Sequence, residues 1–265
     1  MYKIAISDLD GTLLGPNRKM SADTKDSIHN WIKDDRKFVI ATGRHYIEAK
    51  HIQDDLGENI YLITSNGARV HNKKGEIILQ QNLPIDVATA ICKQYNDSKT
   101  QINLFTDHNW YTNFALRELK GLSLGEGFNC QVTDLKTLDH SNTIKIFFWG
   151  EREDLNVIHA QIKQQFPNRV NLTFSLNQCL EVMEANTNKG TAVDVVLNDK
   201  NLSTEQAIAF GDAMNDLEML KGVGKPILMA NSQKDLVDAL TDAEVTKSSK
   251  EHGVAVKLNA ILNQT

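Results

Sequence analysis

The chain has 265 residues, of which 41% are hydrophobic and 24% are charged, and its formal net charge is −5. This length exceeds that of a typical single domain and predicts one large domain or two unequal ones. The negative charge argues against broad nucleic-acid binding, which needs a basic surface. No apolar run approaches the ~20 residues that span a bilayer, so we expect a cytoplasmic protein without membrane partners.

Short apolar runs alternate with longer amphipathic stretches in the first and last parts of the chain. After the first run, residues 21–33 begin with serine and carry spaced apolar side chains, which predicts a helix. Nearly continuous apolarity is typical of parallel strands that are covered on both faces. The alternation predicts a doubly wound α/β domain. Its predicted strands are 2–6, 38–41, 61–63, 207–210 and 227–229.

The middle of the chain has a different pattern. Several segments alternate partly between apolar and polar residues, as antiparallel strands with one solvated face do. Residues 151–166 lie among them and carry apolar side chains at helical spacing. We predict an α+β cap at 83–187, inserted into a Rossmann-like parallel-sheet core that is formed by 1–82 and 188–265. The alternating segments are 143–149, 169–174 and 180–183.

Polar residues follow four of the apolar runs, at the points where the predicted strands end. In an open parallel sheet, ligands bind beyond the carboxyl ends of the strands. The four polar segments are therefore expected to meet at one edge of the sheet and to form a single site. They are 7–12, with the sequence Ser-Asp-Leu-Asp-Gly-Thr, then 42–44, 64–67 and 211–216.

The polar segments are rich in carboxylates. Asp8 and Asp10 are two residues apart at one strand end, and Asp212 and Asp216 add negative charge from another. Close carboxylates resist ionisation unless a cation lies between them, and Mg²⁺ is the usual cation where phosphate is also bound. Lys189, at the start of a predicted helix, can neutralise both the carboxylates and a phosphate. The sequence thus predicts a Mg²⁺ site that also binds phosphate.

The ordered set of motifs resembles the haloacid dehalogenase phosphatase superfamily. Two further features resemble members of its Cof-type branch. One is the cap predicted between the second and third motifs, and the other is the pair of strings Ala-Thr-Gly-Arg44 and Thr-Ser-Asn-Gly-Ala68. The resemblance covers essentially the whole chain, and it is greatest to bacterial phosphatases of pyridoxal phosphate and sugar phosphates. The motifs are Asp8-Leu-Asp-Gly-Thr12, Thr42, Lys189 and Gly211-Asp212-x-x-Asn215-Asp216.

The resemblance implies a Mg²⁺-dependent phosphomonoester hydrolase that acts on a small phosphorylated metabolite through an aspartyl phosphate. Asp8 would attack phosphorus, and Asp10 would protonate the leaving oxygen and then activate water. Asp8, the backbone carbonyl of Asp10 and Asp212 would hold the metal, and Asp216 would support the metal or its waters.

The resemblance also implies how the substrate is held. Thr42 and Lys189 would bind the phosphoryl oxygens and offset their charge, which is most of what such a reaction needs. The cap would close over the site and select the leaving group. The chain departs from the family in one turn, because alanine stands at position 230 where many relatives have glycine; this argues against a phosphate contact by Asn231. The other implied substrate contacts are Leu9, Gly43, Arg44, Asn66, Gly67 and Asn215.

Two other functions stay open at this point. A phosphotransferase such as a mutase would pass the phosphoryl group to a second hydroxyl, and a phospho-ligand-binding protein would retain the fold without catalysis. At single positions, Arg44 could be an ion-pair partner, Asn66-Gly67 a tight turn and Asp216 a helix cap. Pyridoxal phosphate, hexose phosphates and flavin mononucleotide are all credible substrates, and the sequence does not fix the oligomeric state.

Overall fold

The computed structural model describes residues 1–58, 60–115 and 128–264. Its chain divides into two compact units. The first comprises Met1–Arg44, Ala49–Leu79 and Asn188–Thr265, and the second comprises His45–Glu48 and Gln80–Thr187. The predicted core range 1–82 includes His45–Glu48, which the structure groups with the second unit. In that unit the His45 ring stacks on Phe128, with 4.2 Å between the ring centroids.

An eight-stranded sheet forms the centre of the first unit. Counted from one edge, the first six strands are parallel, whereas the seventh runs antiparallel to the sixth. The predicted α/β class with a parallel core sheet is confirmed, and the sheet continues beyond the predicted strands. In spatial order the strands are β14 (Glu244–Val245), β13 (Lys225–Leu228), β12 (Ala207–Gly211), β1 (Ile4–Ser7), β2 (Lys37–Ala41), β3 (Tyr61–Thr64), β4 (Arg69–His71) and β5 (Ile77–Gln80).

Helices of the first unit cover this sheet. The first of them begins after Ser21, whose Oγ accepts a hydrogen bond of 3.1 Å from the Thr24 N–H, and the serine is its N-cap. Its buried Trp31 donates from Nε1 to the Lys37 carbonyl, which ties the helix to β2. The helices are α1 (Ala22–Lys33), α2 (Tyr46–Leu56, the first turn of which belongs to the second unit), α5 (Lys189–Asp199), α6 (Leu217–Lys221), α7 (Lys234–Ala239) and α8 (Gly253–Leu262).

The second unit is an α+β layer. Its strand pairs are antiparallel except for Trp110–Thr112 and Cys130–Val132, which pair in parallel. Helices α3 (Ile85–Tyr95) and α4 (Arg152–Gln165) pack on one face, where Ile91 and Ile158 are buried against Leu104 and Ile146 of the sheet. In spatial order the strands are β10 (Val170–Leu176), β11 (Cys179–Glu184), β9 (Lys145–Trp149), β6 (Gln101–Phe105), β7 (Trp110–Thr112) and β8 (Cys130–Val132).

Within residues 1–58, 60–115 and 128–264, no helix is both long enough and apolar enough to cross a membrane.

Candidate active site

The predicted polar segments meet at one edge of the first unit's sheet. Strand β1 lies between β12 and β2, and Ser7 is level with Phe210 on one side and with Ile40 on the other. The residues that follow these strands therefore emerge side by side. The Asp8 N–H continues the ladder by donating to the Phe210 carbonyl over 3.0 Å.

A buried lysine joins two of the predicted carboxylates. Lys189 is fully buried, and its Nζ lies 2.5 Å from Asp8 Oδ1 and 2.6 Å from Asp216 Oδ1. It is the first residue of α5, which is capped by Asn188 through a hydrogen bond from the Thr191 N–H. The ammonium group is thus held at a helix N-terminus, where it neutralises two carboxylates at once.

Asp216 is a buried organising residue. Its Oδ2 accepts hydrogen bonds of 3.0 Å and 3.1 Å from the backbone N–H groups of Asp212 and Ala213, while Oδ1 accepts from Lys189. Gly211 lacks the β-carbon that would otherwise lie 2.6 Å from the Asp216 β-carbon. Asp216 therefore shapes the loop that presents Asp212 and also fixes the lysine.

The electrostatic balance of the site is negative. Burial raises the pKa of Asp8 above its ordinary value; Lys189 opposes this rise, and Asp216 and Asp212 add to it. Burial also raises the pKa of Asp212 to about 6, against a hydrogen bond from Thr12. Burial lowers the pKa of Lys189, but Asp216 and Asp8 outweigh that effect and keep the lysine charged. In the part of the chain that the structure describes, Lys189 thus faces the three carboxylates of this cluster, and a bound cation would relieve their repulsion.

The donor set fits a hard divalent cation. Asp8, Asp212 and Asp216 each offer a carboxylate oxygen, and these oxygens lie within 4.8 Å of one another. Thr12 Oγ1 donates to Asp212 Oδ1 over 2.9 Å and orients that ligand. Carboxylate oxygens without nitrogen or sulfur donors suit Mg²⁺. The carboxylate of Asp10 is not a member of this group.

Asp10 is instead paired with Arg44. The guanidinium donates from Nε to Asp10 Oδ2 over 2.7 Å and from Nη2 to Oδ1 over 2.5 Å, which is a bidentate contact. The Arg44 N–H also donates to Thr42 Oγ1 over 3.1 Å. The Asp10 side chain is 48% exposed. It is therefore held in one orientation and remains accessible to solvent.

The other predicted substrate contacts form a second small group. Asn215 Nδ2 donates to Asn66 Oδ1 over 3.0 Å, and the Asn66 N–H donates to the Thr42 carbonyl over 3.0 Å. A β-carbon on Gly43 would lie 3.0 Å from Asn66 Oδ1, so the backbone passes close to the amide there. Leu9 differs from this group because its side chain is fully buried, which leaves only its backbone for ligand contact.

Gly67 completes three successive residues with positive φ, after Ser65 at 49° and Asn66 at 55°. Its own φ is +102°, and a β-carbon there would lie 2.2 Å from the Asn188 carbonyl oxygen. We expect Gly67→Ala to lower the free energy of unfolding by about 3 kcal/mol or more, since strain and a backbone clash act together. Urea denaturation measures this loss.

Gly57 provides the matched control for this prediction. It also has positive φ, +74°, but nothing lies within 4 Å of a β-carbon placed there. Gly57→Ala should therefore carry the backbone strain alone, about 1 kcal/mol. Equal losses for the two variants would contradict the clash with Asn188.

Asn231 makes a contact at this edge that the sequence does not predict. It donates from Nδ2 to the Gly11 carbonyl over 2.8 Å. Its position three residues after the end of β13, which pairs with β12, was the available signal. The hydroxyl of Thr12, in the first of the predicted polar segments, donates to Asp212.

A doubly wound sheet that carries carboxylates and a helix-terminal lysine at its carboxyl edge is typical of α/β enzymes that act on phosphate groups. Residues 5–258 match the model of the haloacid dehalogenase-like hydrolase family. The chain belongs to this family and is a phosphatase of its Cof-type branch.

Curated relatives support this assignment. The chain is 34% identical over 264 residues to HMP-PP phosphatase of Enterobacter sp. (strain 638). The aligned region covers 100% of this chain and 97% of the relative. It is 35% identical over 257 residues to HMP-PP phosphatase of Serratia proteamaculans (strain 568), with coverage of 96% and 93%.

Solved structures share the fold. A haloacid dehalogenase-like hydrolase from Bacteroides thetaiotaomicron superimposes with a TM-score of 0.87 at 23% identity, covering 98% of this chain and 100% of the other. A protein from Thermotoga maritima gives a TM-score of 0.87 at 25% identity, with coverage of 98% and 97%.

Proposed function

We propose that this phosphatase is a Mg²⁺-dependent phosphomonoester hydrolase of small phosphorylated metabolites, and that it works through an aspartyl phosphate on Asp8. The observation that carries the proposal is the buried Asp8–Lys189 pair, which lies beside the oxygen donors of Asp212 and Asp216. A nucleophile needs such a fixed cation, because the attacked phosphoryl group brings further negative charge.

Asp8 is the nucleophile in this proposal. Lys189 holds its Oδ1, so we assign the attack on phosphorus to Oδ2. The new bond joins Oδ2 to phosphorus as the bond from phosphorus to the leaving oxygen breaks, and that oxygen takes a proton from Asp10. For this step Asp10 must first bind the proton and give up one of its two hydrogen bonds to Arg44. Water activated by Asp10 then attacks phosphorus, which releases phosphate and regenerates the Asp8 carboxylate.

Mg²⁺ would be held by Asp8 and Asp212, with Asp216 orienting the loop that carries Asp212. When bound, the cation would neutralise charge on the phosphoryl oxygens. Lys189 would contact those oxygens from the helix terminus, and Thr42 would contribute its hydroxyl. Asn215 and Asn66, which hydrogen-bond each other, would line the substrate side.

Asp10 as the general acid makes a prediction about leaving groups. Asp10→Ala should lower kcat/KM by about 10²–10⁴-fold for alkyl phosphates, whose leaving oxygen needs a proton. It should lower kcat/KM much less for 4-nitrophenyl phosphate, whose leaving group departs as an anion. Steady-state kinetics with both substrates on the same variant provide the comparison. Equal losses of kcat/KM for the two substrates would show that Asp10 is not the general acid.

The experiment that tests the proposed function is phosphate release from a panel of phosphorylated metabolites, with Mg²⁺ and with a chelator. HMP-PP belongs in the panel because two relatives are named HMP-PP phosphatase and cover nearly the whole chain. Pyridoxal phosphate, hexose phosphates and flavin mononucleotide complete it. We expect release with Mg²⁺ and at least about a hundredfold less with the chelator.

Two outcomes of the panel experiment would contradict the proposal. Undiminished phosphate release in the chelator would show that the reaction does not require Mg²⁺. An isomerised phosphate ester in place of free phosphate would indicate a mutase. We further propose that the second unit selects the leaving group, as caps of this branch are expected to do. The cytoplasmic location and the lack of nucleic-acid and membrane partners stay predictions.

A further inference from the structure

The side-chain amide of Asn231 links two separate segments of the first unit. Its Nδ2 donates to the Gly11 carbonyl over 2.8 Å, and its Oδ1 accepts from the Ser249 N–H over 2.8 Å. A backbone carbonyl can only accept and a backbone N–H can only donate, so these two partners fix which end of the amide is which. The nitrogen therefore faces the loop that carries Asp8 and Asp10.

This nitrogen also lies next to the predicted metal ligand. Asn231 Nδ2 is 3.4 Å from Asp212 Oδ2, and Thr12 Oγ1 donates to Asp212 Oδ1 over 2.9 Å. Each carboxylate oxygen of Asp212 thus has a polar neighbour from a different segment. Of these two contacts, the hydrogen bond from Thr12 to Oδ1 is the shorter, and the contact of Asn231 with Oδ2 is the longer.

Gly11 connects the two effects of Asn231. A β-carbon built on Gly11 would lie only 2.3 Å from Asp212 Oδ2, so the carboxylate packs directly on the glycine backbone. By holding the Gly11 carbonyl, Asn231 fixes the surface against which Asp212 Oδ2 rests. A shift of Gly11 would therefore displace that oxygen.

The turn that contains Asn231 is itself attached to the Asp212 loop. The Gln233 N–H donates to the Asp212 carbonyl over 2.7 Å, and Ser232 N–H closes the turn on Met229. Ser249 begins a short 3₁₀ turn just before α8. Asn231 is thus held from both sides, as a residue that orients a ligand must be.

We propose that Asn231 is a positioning residue for Asp212 and that it sets the affinity of the site for Mg²⁺. This inference rests on the metal role of Asp212 in the proposed function. Outer groups that orient a metal ligand typically change metal affinity by 10–100-fold when they are removed. Because the Asn231 contacts are exposed and one of them is long, the lower end of that range is expected.

The test compares Asn231→Ala with Ser232→Ala in the otherwise intact protein. Ser232 lies in the same turn, but its hydroxyl donates to the Gly211 carbonyl, 3.3 Å away, and is not bonded to Gly11 or Asp212. Calorimetric titration with MgCl₂ measures the Kd directly, without substrate. We expect the Kd to rise about tenfold in Asn231→Ala and to stay at the wild-type value in Ser232→Ala. At saturating Mg²⁺, kcat of Asn231→Ala should approach that of the wild type.

An unchanged Mg²⁺ Kd in Asn231→Ala would overturn the inference and leave the proposed function intact. If Asn231→Ala lowered kcat at saturating Mg²⁺, or lowered the unfolding midpoint, and in either case left the Mg²⁺ Kd unchanged, the inference would also be overturned. Asn231 would then have a structural role only. Failure of the wild-type protein to bind Mg²⁺ would instead remove the metal role of Asp212 and, with it, the basis of the inference.

Discussion

Replacing Asp8 by asparagine is expected to abolish phosphate release and to leave the protein folded. The amide is nearly isosteric with the carboxylate, but it is not a nucleophile and cannot form the aspartyl phosphate. Removal of a residue that forms the covalent intermediate lowers kcat by about 10³-fold or more. Continuous phosphate detection with the best substrate of the panel measures the loss.

The fold should survive because Lys189 retains a second partner. Asp216 Oδ1 lies 2.6 Å from the ammonium group, and burial already makes the charged form of Asp8 costly. The unfolding midpoint should therefore remain close to that of the wild type.

Asp86→Asn is the matched control for Asp8→Asn. This change removes a carboxylate of the second unit that is 66% exposed and paired with Arg169, so turnover should persist. Phosphate release by Asp8→Asn within tenfold of the control would contradict the nucleophile assignment.

The parallel strands of the core were predictable because of their composition. Residues 38–41 and 207–210 are continuously apolar, and burial on both faces of a parallel sheet requires that pattern. Observed boundaries differ from the predicted ones by a few residues at most, as at β2, which begins at Lys37. Strand β4 was not predicted, because Arg69–His71 is short and carries two polar residues that are nevertheless buried.

The proximity of the predicted site segments followed from topology, whereas their pairwise contacts did not. Once the strands are parallel, their carboxyl ends must share an edge, and this placed Asp8 near Asp212 in advance. Lys189 is 181 positions from Asp8 in the sequence, and no local pattern specifies that contact. The position of Lys189 at a predicted helix start indicated that it neutralises the carboxylates, and the resemblance implied its phosphate contact. Neither specified that Arg44 pairs with Asp10.

Contacts made by single polar side chains were the least predictable. Asn231 follows a strand as many turn residues do, and its two backbone partners lie in segments that are remote in sequence. Similarly, the ring of His45 contacts Phe128 and Phe105 of the second unit. Such contacts depend on tertiary packing, which composition and periodicity do not encode.

Lys189→Met is expected to have the second large effect, on stability as well as on turnover. Methionine fills a similar volume but leaves Asp8 and Asp216 buried without their cation. Breaking a buried ion pair by removing one partner costs about 3–5 kcal/mol. Turnover should fall by about 10²–10³-fold, since a fixed donor to the phosphoryl oxygens is lost. Urea denaturation and phosphate release measure the two effects.

Mg²⁺ distinguishes the electrostatic explanation from a packing defect in Lys189→Met. If unpaired carboxylates destabilise this variant, added Mg²⁺ should raise its unfolding midpoint more than that of the wild type, because the cation replaces the missing charge. Lys145→Met is the matched control: Lys145 is also buried and pairs with Glu181 over 3.0 Å, but it lies in the second unit. That variant should lose stability and respond to Mg²⁺ as the wild type does. An identical Mg²⁺ response in both lysine variants would mean that Lys189 only fills space between Asp8 and Asp216, and its role in balancing their charge would have to be abandoned.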